Sequence, residues 1–201
     1  MQEQANKTEN QSLRPLVIPV FIPNAGCPHR CIYCNQATVT GQVAELPSVR
    51  TLHAQIDLFL SYRIRDRHPI EIAFFGGNFL GLETSIINGL LEEASQYVEA
   101  GKVDGLRFST RPDTLNWRKI DLLQPYPVTT VEIGAQSMVD TILSRSKRGH
   151  TAADTVHAIK LLKSAGYKTG LQLMVGLPAE TRTDLETTGQ AAVNLAPDFV
   201  R

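Results

Sequence analysis

The sequence predicts an α/β fold built on a parallel sheet, and three observations carry that reading. Short β-branched or apolar runs alternate with amphipathic helical patterns along most of the chain. The strand-helix-strand unit recurs five times, and such units pair their strands in parallel through right-handed crossovers, with helices on the outer face. A chain of 201 residues, 42% hydrophobic and 20% charged, is long and apolar enough for one sizeable core. Periodicity alone leaves open whether the sheet is doubly wound or part of a barrel.

The elements follow in order. Residues 1–15, MQEQANKTENQSLRP, offer almost nothing to bury and are expected to be a disordered tail, which leaves 16–201 as the core domain. Strands are expected at LVIPVFI (16–22), IEIAFF (70–75), GLRFST (105–110), VTTVEIG (128–134), KTGLQLMVG (168–176) and DFVR (198–201). Between them, Ser48 can cap a helix over 48–60 that puts Val49, Leu52, Ile56, Phe59 and Leu60 on one face. Thr84 can cap a second over 84–98, with Ile87, Leu91, Ala94 and Val98 inward. Thr151 and Asp154 form the pattern of a capping box for 151–165, and residues 181–195 give a weaker fourth pattern. No internal repeat, low-complexity tract or linker to a second domain stands out. The last strand stops at Arg201, and a core element ending on the final residue suggests a chain truncated at its C-terminus.

Twenty basic residues balance twenty acidic ones, so no global field draws the chain to nucleic acid or anionic lipid. The local run RIRDRH, 63–68, reads as a solvated helix end that complements the helix dipole. No apolar stretch approaches the ~20 residues that span a bilayer, and the polar N-terminus lacks a signal-peptide core. A cytoplasmic protein without membrane contact is expected. Disulfides are rare there, so the three cysteines of CPHRCIYC read as metal or redox chemistry.

Cys27, Cys31 and Cys34 follow directly on a strand, where parallel α/β folds place their ligands. Three is an informative number. A structural zinc site takes four protein ligands, commonly as two separated pairs, and His29 between two of the cysteines is badly placed to be the fourth. An electron-transfer [4Fe-4S] cluster also takes four cysteines, so three thiolates leave one iron open.

This spacing, with Tyr33 directly before the last cysteine, resembles the cluster motif of the radical SAM superfamily. FFGGNF (74–79) is similar to the glycine-rich motif that holds the amino group of S-adenosylmethionine in that family, with Gly76 and Gly77 followed by Asn78 where many members carry an acidic residue, Ser or Thr. VEIGAQSM (131–138) and SKRGHT (146–151) resemble the branch that contains oxygen-independent coproporphyrinogen III oxidases and the catalytic subunit of the tRNA-modifying Elongator complex. That resemblance implies a partial (β/α)6 barrel of radical SAM type. It further implies Gln136 against the SAM ribose and Arg148 on its carboxylate, a group the planar guanidinium can grip twice. Gln172 stands where the relatives have Asp, and Ser109, in FSTRPDTL (108–115), where the oxidases have a Glu nearby; STRPD is closer to the Elongator-like proteins. The Elongator subunit's acetyltransferase domain has no counterpart in this sequence.

The implied cofactors are a [4Fe-4S] iron-sulfur cluster and S-adenosyl-L-methionine. The implied activity is reductive cleavage of SAM to a 5′-deoxyadenosyl radical that takes hydrogen from a substrate, with a flavodoxin or ferredoxin as electron donor and tRNA as a candidate substrate. The alternative is a non-catalytic iron-sulfur, SAM- or RNA-binding module that lacks the substrate half.

Overall fold

The computed structural model describes residues 15–22, 25–35, 45–62 and 67–201. Residues 1–14 of the expected tail and 63–66 of the basic run lie outside the described residues.

Six strands, β1 (Leu16–Phe21), β2 (Ile70–Phe75), β3 (Gly105–Thr110), β4 (Val128–Gln136), β5 (Lys168–Leu173) and β6 (Phe199–Val200), form one sheet in the order β1-β2-β3-β4-β5-β6, every pair parallel. This order resolves what periodicity left open. A doubly wound sheet reverses its strand order at a switch point. Here each crossover steps the same way, so right-handed connections stack the helices on one face and leave the other concave. No pairing joins β6 back to β1 among the described residues, so the sheet is an open arc of a barrel.

The helices are α1 (Val49–Ser61), α2 (Thr84–Glu99), α3 (Trp117–Leu123), α4 (Asp140–Arg145), α5 (Ala152–Ser164) and α6 (Arg182–Leu195). Ser48 caps α1, its hydroxyl accepting from the Thr51 amide at 3.2 Å. The expected cap of α2 is corrected: Thr84 is already helical, and Glu83 holds the cap position with no side-chain bond. Both α5 and α6 begin with complete capping boxes, Thr151 with Asp154 and Thr181 with Asp184. None of the described helices is long and apolar enough to cross a membrane.

Alternation along the strands separates two kinds of interior. Ile18, Val20, Ile72, Phe74, Leu106, Phe108, Val131, Ile133 and Leu171 face the helices and are buried with Leu52, Ile56, Ile87, Leu91 and Ile159. Phe79 stacks between Phe74 and Phe108, with ring centroids 5.0 and 4.6 Å apart. Burying each such side chain contributes about 1.5–3 kcal/mol.

The concave face carries charge instead. Arg107 bridges β2 and β4, donating to Glu71 Oε2 at 2.8 Å and to Glu132 Oε1 at 2.5 Å. Thr129 and Thr130 donate to the other Glu71 oxygen at 2.7 and 2.8 Å. Arg201 Nη2 lies 2.9 Å from Glu132 Oε2, off the hydrogen-bonding direction. This layer ties the middle of the arc together and lies below the strand ends, where a cavity opens.

Candidate functional site

The cavity, of about 400 Å³, opens at the carboxyl ends of the strands and is walled by the cysteine loop and the ends of β1 to β5. All three cysteines line it: Cys27 is exposed, Cys31 buried and Cys34 between the two. The loop is held from several sides. Cys34 N–H donates to Cys31 O at 3.0 Å, Ile32 N–H to Ser146 O at 3.2 Å, and Asn78 N–H to Ala25 O at 2.8 Å. No disulfide joins the thiols. Although Cys27 presents surface to solvent, the protein packed around its sulfur partly desolvates it and pushes the thiol up from its ordinary range, against the pull of the nearby Arg111 and Arg148. Burial likewise raises the Tyr33 hydroxyl.

Among the described residues, no three metal-ligating side chains converge on a single ion. A cuboidal iron–sulfur cluster asks for a different arrangement, with each thiolate on its own iron. The three thiols around one cavity fit that requirement.

Gly76 and Gly77 let the turn after β2 close on the loop. Gly76 has φ +99°, and a Cβ there would lie 2.7 Å from the Phe21 ring; one on Gly77 would lie 2.4 Å from the Ala25 carbonyl oxygen. Ser109 sits at the end of β3, its buried hydroxyl without a hydrogen-bond partner. Gln172, near the end of β5, lines the same cavity.

At the end of β4 the register shifts between Gly134 and Gln136, and Gln136 takes a left-handed φ of 72°. A bulge of this kind re-aims a side chain at the cost of local strain. Gln136 lines the cavity, and its Oε1 is buried and accepts nothing. Arg148 reaches in from the loop after α4. Its Nη1 donates to Cys31 Sγ at 3.4 Å and its Nη2 to Gly134 O, while Nε has no partner. It is 9% exposed, and among the described residues no carboxylate lies within ion-pairing distance of it.

Nine of the ten residues singled out from the sequence thus meet at one cavity. Asn78 does not. It is fully buried, and its carboxamide is spent within the protein, donating to Gly26 O at 2.9 Å and accepting from Thr110 Oγ1 at 2.7 Å and Arg111 N–H at 3.0 Å. The expected ligand contact at this position is corrected on that ground: Asn78 does not line the cavity, and both its carboxamide oxygen and its nitrogen are engaged within the protein.

Arg111 was hidden in STRPD. It is 2% exposed, lines the cavity, forms a two-pronged pair with Asp113 at 2.9 and 2.8 Å, and donates to the Arg148 carbonyl at 2.7 Å. An Arg two residues before an Asp reads in sequence as a surface pair; only the buried strand end beneath it makes it part of the site.

Comparisons with known proteins agree with this geometry. The tRNA uridine(34) acetyltransferase of Methanocaldococcus infernus is 30% identical over 219 residues, covering 92% of this chain and 41% of that protein. The solved archaeal Elp3 of Methanocaldococcus infernus, lacking its N-terminal residues 1–46, superposes with a TM-score of 0.69 at 23% identity, over 93% of this chain and 45% of its own. Coproporphyrinogen III oxidase (HemN) of Escherichia coli, a radical SAM enzyme, gives 0.64 at 18% identity over 93% and 44%. This chain therefore spans about two-fifths of the length of such a relative. The model of the radical SAM superfamily matches residues 21–192. A half-barrel with three thiols and an unanswered buried cation at its strand ends accordingly belongs to the radical SAM superfamily of enzymes, whose cofactors are a [4Fe-4S] cluster and S-adenosylmethionine.

Proposed function

We propose that Cys27, Cys31 and Cys34 hold the [4Fe-4S] cluster and that Arg148 takes the SAM carboxylate. The observation that carries this reading is the buried Arg148 guanidinium with no carboxylate to meet it. A buried, unpaired cation is costly, and a bound anion removes the cost. Around it, Gly76 and Gly77 allow the backbone to approach the ligand amino group, while the open polar atoms of Ser109 and Gln136, with Gln172 beside them, suit the ribose and adenine. The chemistry supplied there is reductive cleavage of SAM to a 5′-deoxyadenosyl radical that takes hydrogen from a substrate. The chain's own residues orient the ligand, exclude water behind Tyr33, and keep the thiolates in place. Cluster uptake releases a proton from each thiol, so it weakens as pH falls.

A tRNA-modification type of reaction is the finer reading, supported by the named activity of the M. infernus relative. A flavodoxin or ferredoxin would deliver the electron. The test is anaerobic reconstitution with iron and sulfide, followed by dithionite and SAM. Formation of 5′-deoxyadenosine by the wild type, and loss of both iron and product in Cys31→Ala, are expected. Cluster-loaded protein that forms no 5′-deoxyadenosine would overturn the activity. Iron retained by Cys31→Ala would overturn the ligand assignment. For the substrate, tRNA binding that weakens steeply as salt rises is expected; no binding at low salt would remove tRNA.

A further inference from the structure

Asn78 occupies the position after the paired glycines, yet it does not line the cavity, and its carboxamide bonds to the protein on both its oxygen and its nitrogen. The orientation of its carboxamide is fixed by chemistry. The Gly26 carbonyl can only accept, so it faces Nδ2, at 2.9 Å. The Arg111 amide can only donate, so it faces Oδ1, at 3.0 Å, alongside the Thr110 hydroxyl at 2.7 Å. The Thr114 hydroxyl lies 3.1 Å from the same oxygen. One buried side chain therefore joins the cysteine loop, the turn after β2, the end of β3 and the 3-10 turn at Pro112–Thr114.

The backbone closes around this junction. Gly26 has φ +70°, and a Cβ there would stand 2.2 Å from the Asn78 carbonyl oxygen; a Cβ on Gly81 would stand 2.2 Å from the Gly26 carbonyl oxygen and 2.3 Å from Asn78 Nδ2. Side chains at either position would force the loop off the sheet. From the junction a second link runs onward: Arg111, whose amide bonds Asn78, reaches with Nη1 to the Arg148 carbonyl at 2.7 Å. The loop that carries the thiols and the segment that carries the cation are thus fastened to one polar hub.

We infer that Asn78 is a positioning residue whose carboxamide fixes the cysteine loop against β2 and β3 before any ligand arrives; its bearing on the cluster rests on the function proposed above. The donor arm is the specific requirement. A carboxylate at 78 keeps the acceptor side for Thr110 and Arg111 but sets oxygen against oxygen at Gly26 O. An amide is the only near-isosteric group that serves both sides.

Hydrogen exchange on the iron-free chain tests this without reference to activity. In Asn78→Asp, the amides of Ile32 and Cys34, bonded to Ser146 O and Cys31 O, are expected to exchange at least tenfold faster, while those of β3 and β4 keep their protection. Thr114→Val, which leaves the bond to Gly26 intact, is expected to leave loop exchange at the wild-type rate. In reconstituted protein, Asn78→Asp is expected to surrender iron to a chelator at least tenfold faster. Asn78→Ser, which adds no charge, serves in its place if the aspartate variant does not fold. Unchanged loop exchange in a folded Asn78 variant overturns the inference, as does equal loosening by Thr114→Val. A loosened loop in a chain whose wild type takes up no iron leaves the role of Asn78 standing and removes the cofactor reading instead.

Discussion

Arg107 and Arg148 are both arginines taken out of solvent on the concave side of the sheet, and they differ in what answers their charge. Arg107 has Glu71 at 2.8 Å and Glu132 at 2.5 Å, and Arg201 adds a second cation beside Glu132, so two carboxylates face two guanidinium groups. Arg148 has a thiol sulfur and a carbonyl oxygen, and Nε bonds nothing. Geometry and chemistry are alike in the two cases; pairing is not. A buried cation matched by carboxylates serves the fold; one left unmatched at the strand ends is, on the function proposed above, where the anion would bind.

Substitutions can break this contrast, beginning with the larger effect. Arg107→Met leaves Glu71 buried without a cation and Glu132 with only the half-exposed Arg201, and should cost about 3–5 kcal/mol of stability. Chemical denaturation of the iron-free chain measures it, and SAM affinity per folded, reconstituted molecule should stay at the wild-type value. A variant as stable as wild type would show that pairing does not distinguish the two layers. Arg148→Met should do the reverse. Its ligand-free stability is expected to hold or rise, because an uncompensated charge leaves the interior, while SAM binding weakens by about 2–4 kcal/mol, roughly 30- to 1000-fold. Anaerobic titration calorimetry separates the outcomes, and unchanged affinity would assign the carboxylate to another cation.

The contrast also explains what the sequence could and could not disclose. IEIAFF and GLRFST match β2 and β3 residue for residue, because alternation of apolar residues with Glu71, Arg107 and Ser109 is a local signal. α3 and α4, of 7 and 6 residues, complete too few turns to display a periodicity. The arc rather than a doubly wound sheet depends on strand order, a property of distant pairings. The cysteines declare themselves by spacing alone. Asn78 misleads because its partners Gly26, Thr110 and Thr114 lie 52, 32 and 36 positions away. Arg111 is unreadable for the same reason, its role being set by the Arg148 carbonyl 37 residues on.

A pH measurement sharpens the contrast further. His150 is held down to about 4, first by burial and then by the neighbouring Arg148 and Arg111 charges, against its ordinary 6.5. Its Nε2 lies 3.2 Å from the Ala135 carbonyl and so carries the proton of a neutral ring. Between pH 6.5 and 4 the unfolded chain therefore binds a proton that the folded chain refuses. Stability present above 6.5 is lost as pH falls toward 4, by on the order of 2–3 kcal/mol. The Asp113 charge opposes the two arginines without reversing the direction. Denaturation of the iron-free chain across this range should show the slope, His150→Gln should flatten it, and Arg148→Met should reduce it by removing one of the two cations. A slope unaffected by Arg148→Met would mean that burial and Arg111, without Arg148, depress the imidazole.

The smallest expected effect comes at Gly134, where charge is left untouched and only position changes. A Cβ there would lie 2.8 Å from Arg148 Nη2 and 3.0 Å from Gln136 Nε2, both ends of side chains that can swing. Gly134→Ala should therefore cost the fold about 1 kcal/mol, the low end for an added methyl, since no backbone or packed ring is struck. What it does move is the pair of groups assigned to the carboxylate and the ribose. With the guanidinium still buried and still unmatched, SAM binding should weaken about tenfold, roughly 1.4 kcal/mol, through displacement alone. Wild-type affinity in Gly134→Ala, alongside a large loss in Arg148→Met, would mean that the unmatched charge attracts the ligand from a range of positions. A loss in Gly134→Ala equal to that in Arg148→Met would mean instead that the arginine acts only in the place the bulge of β4 allows it.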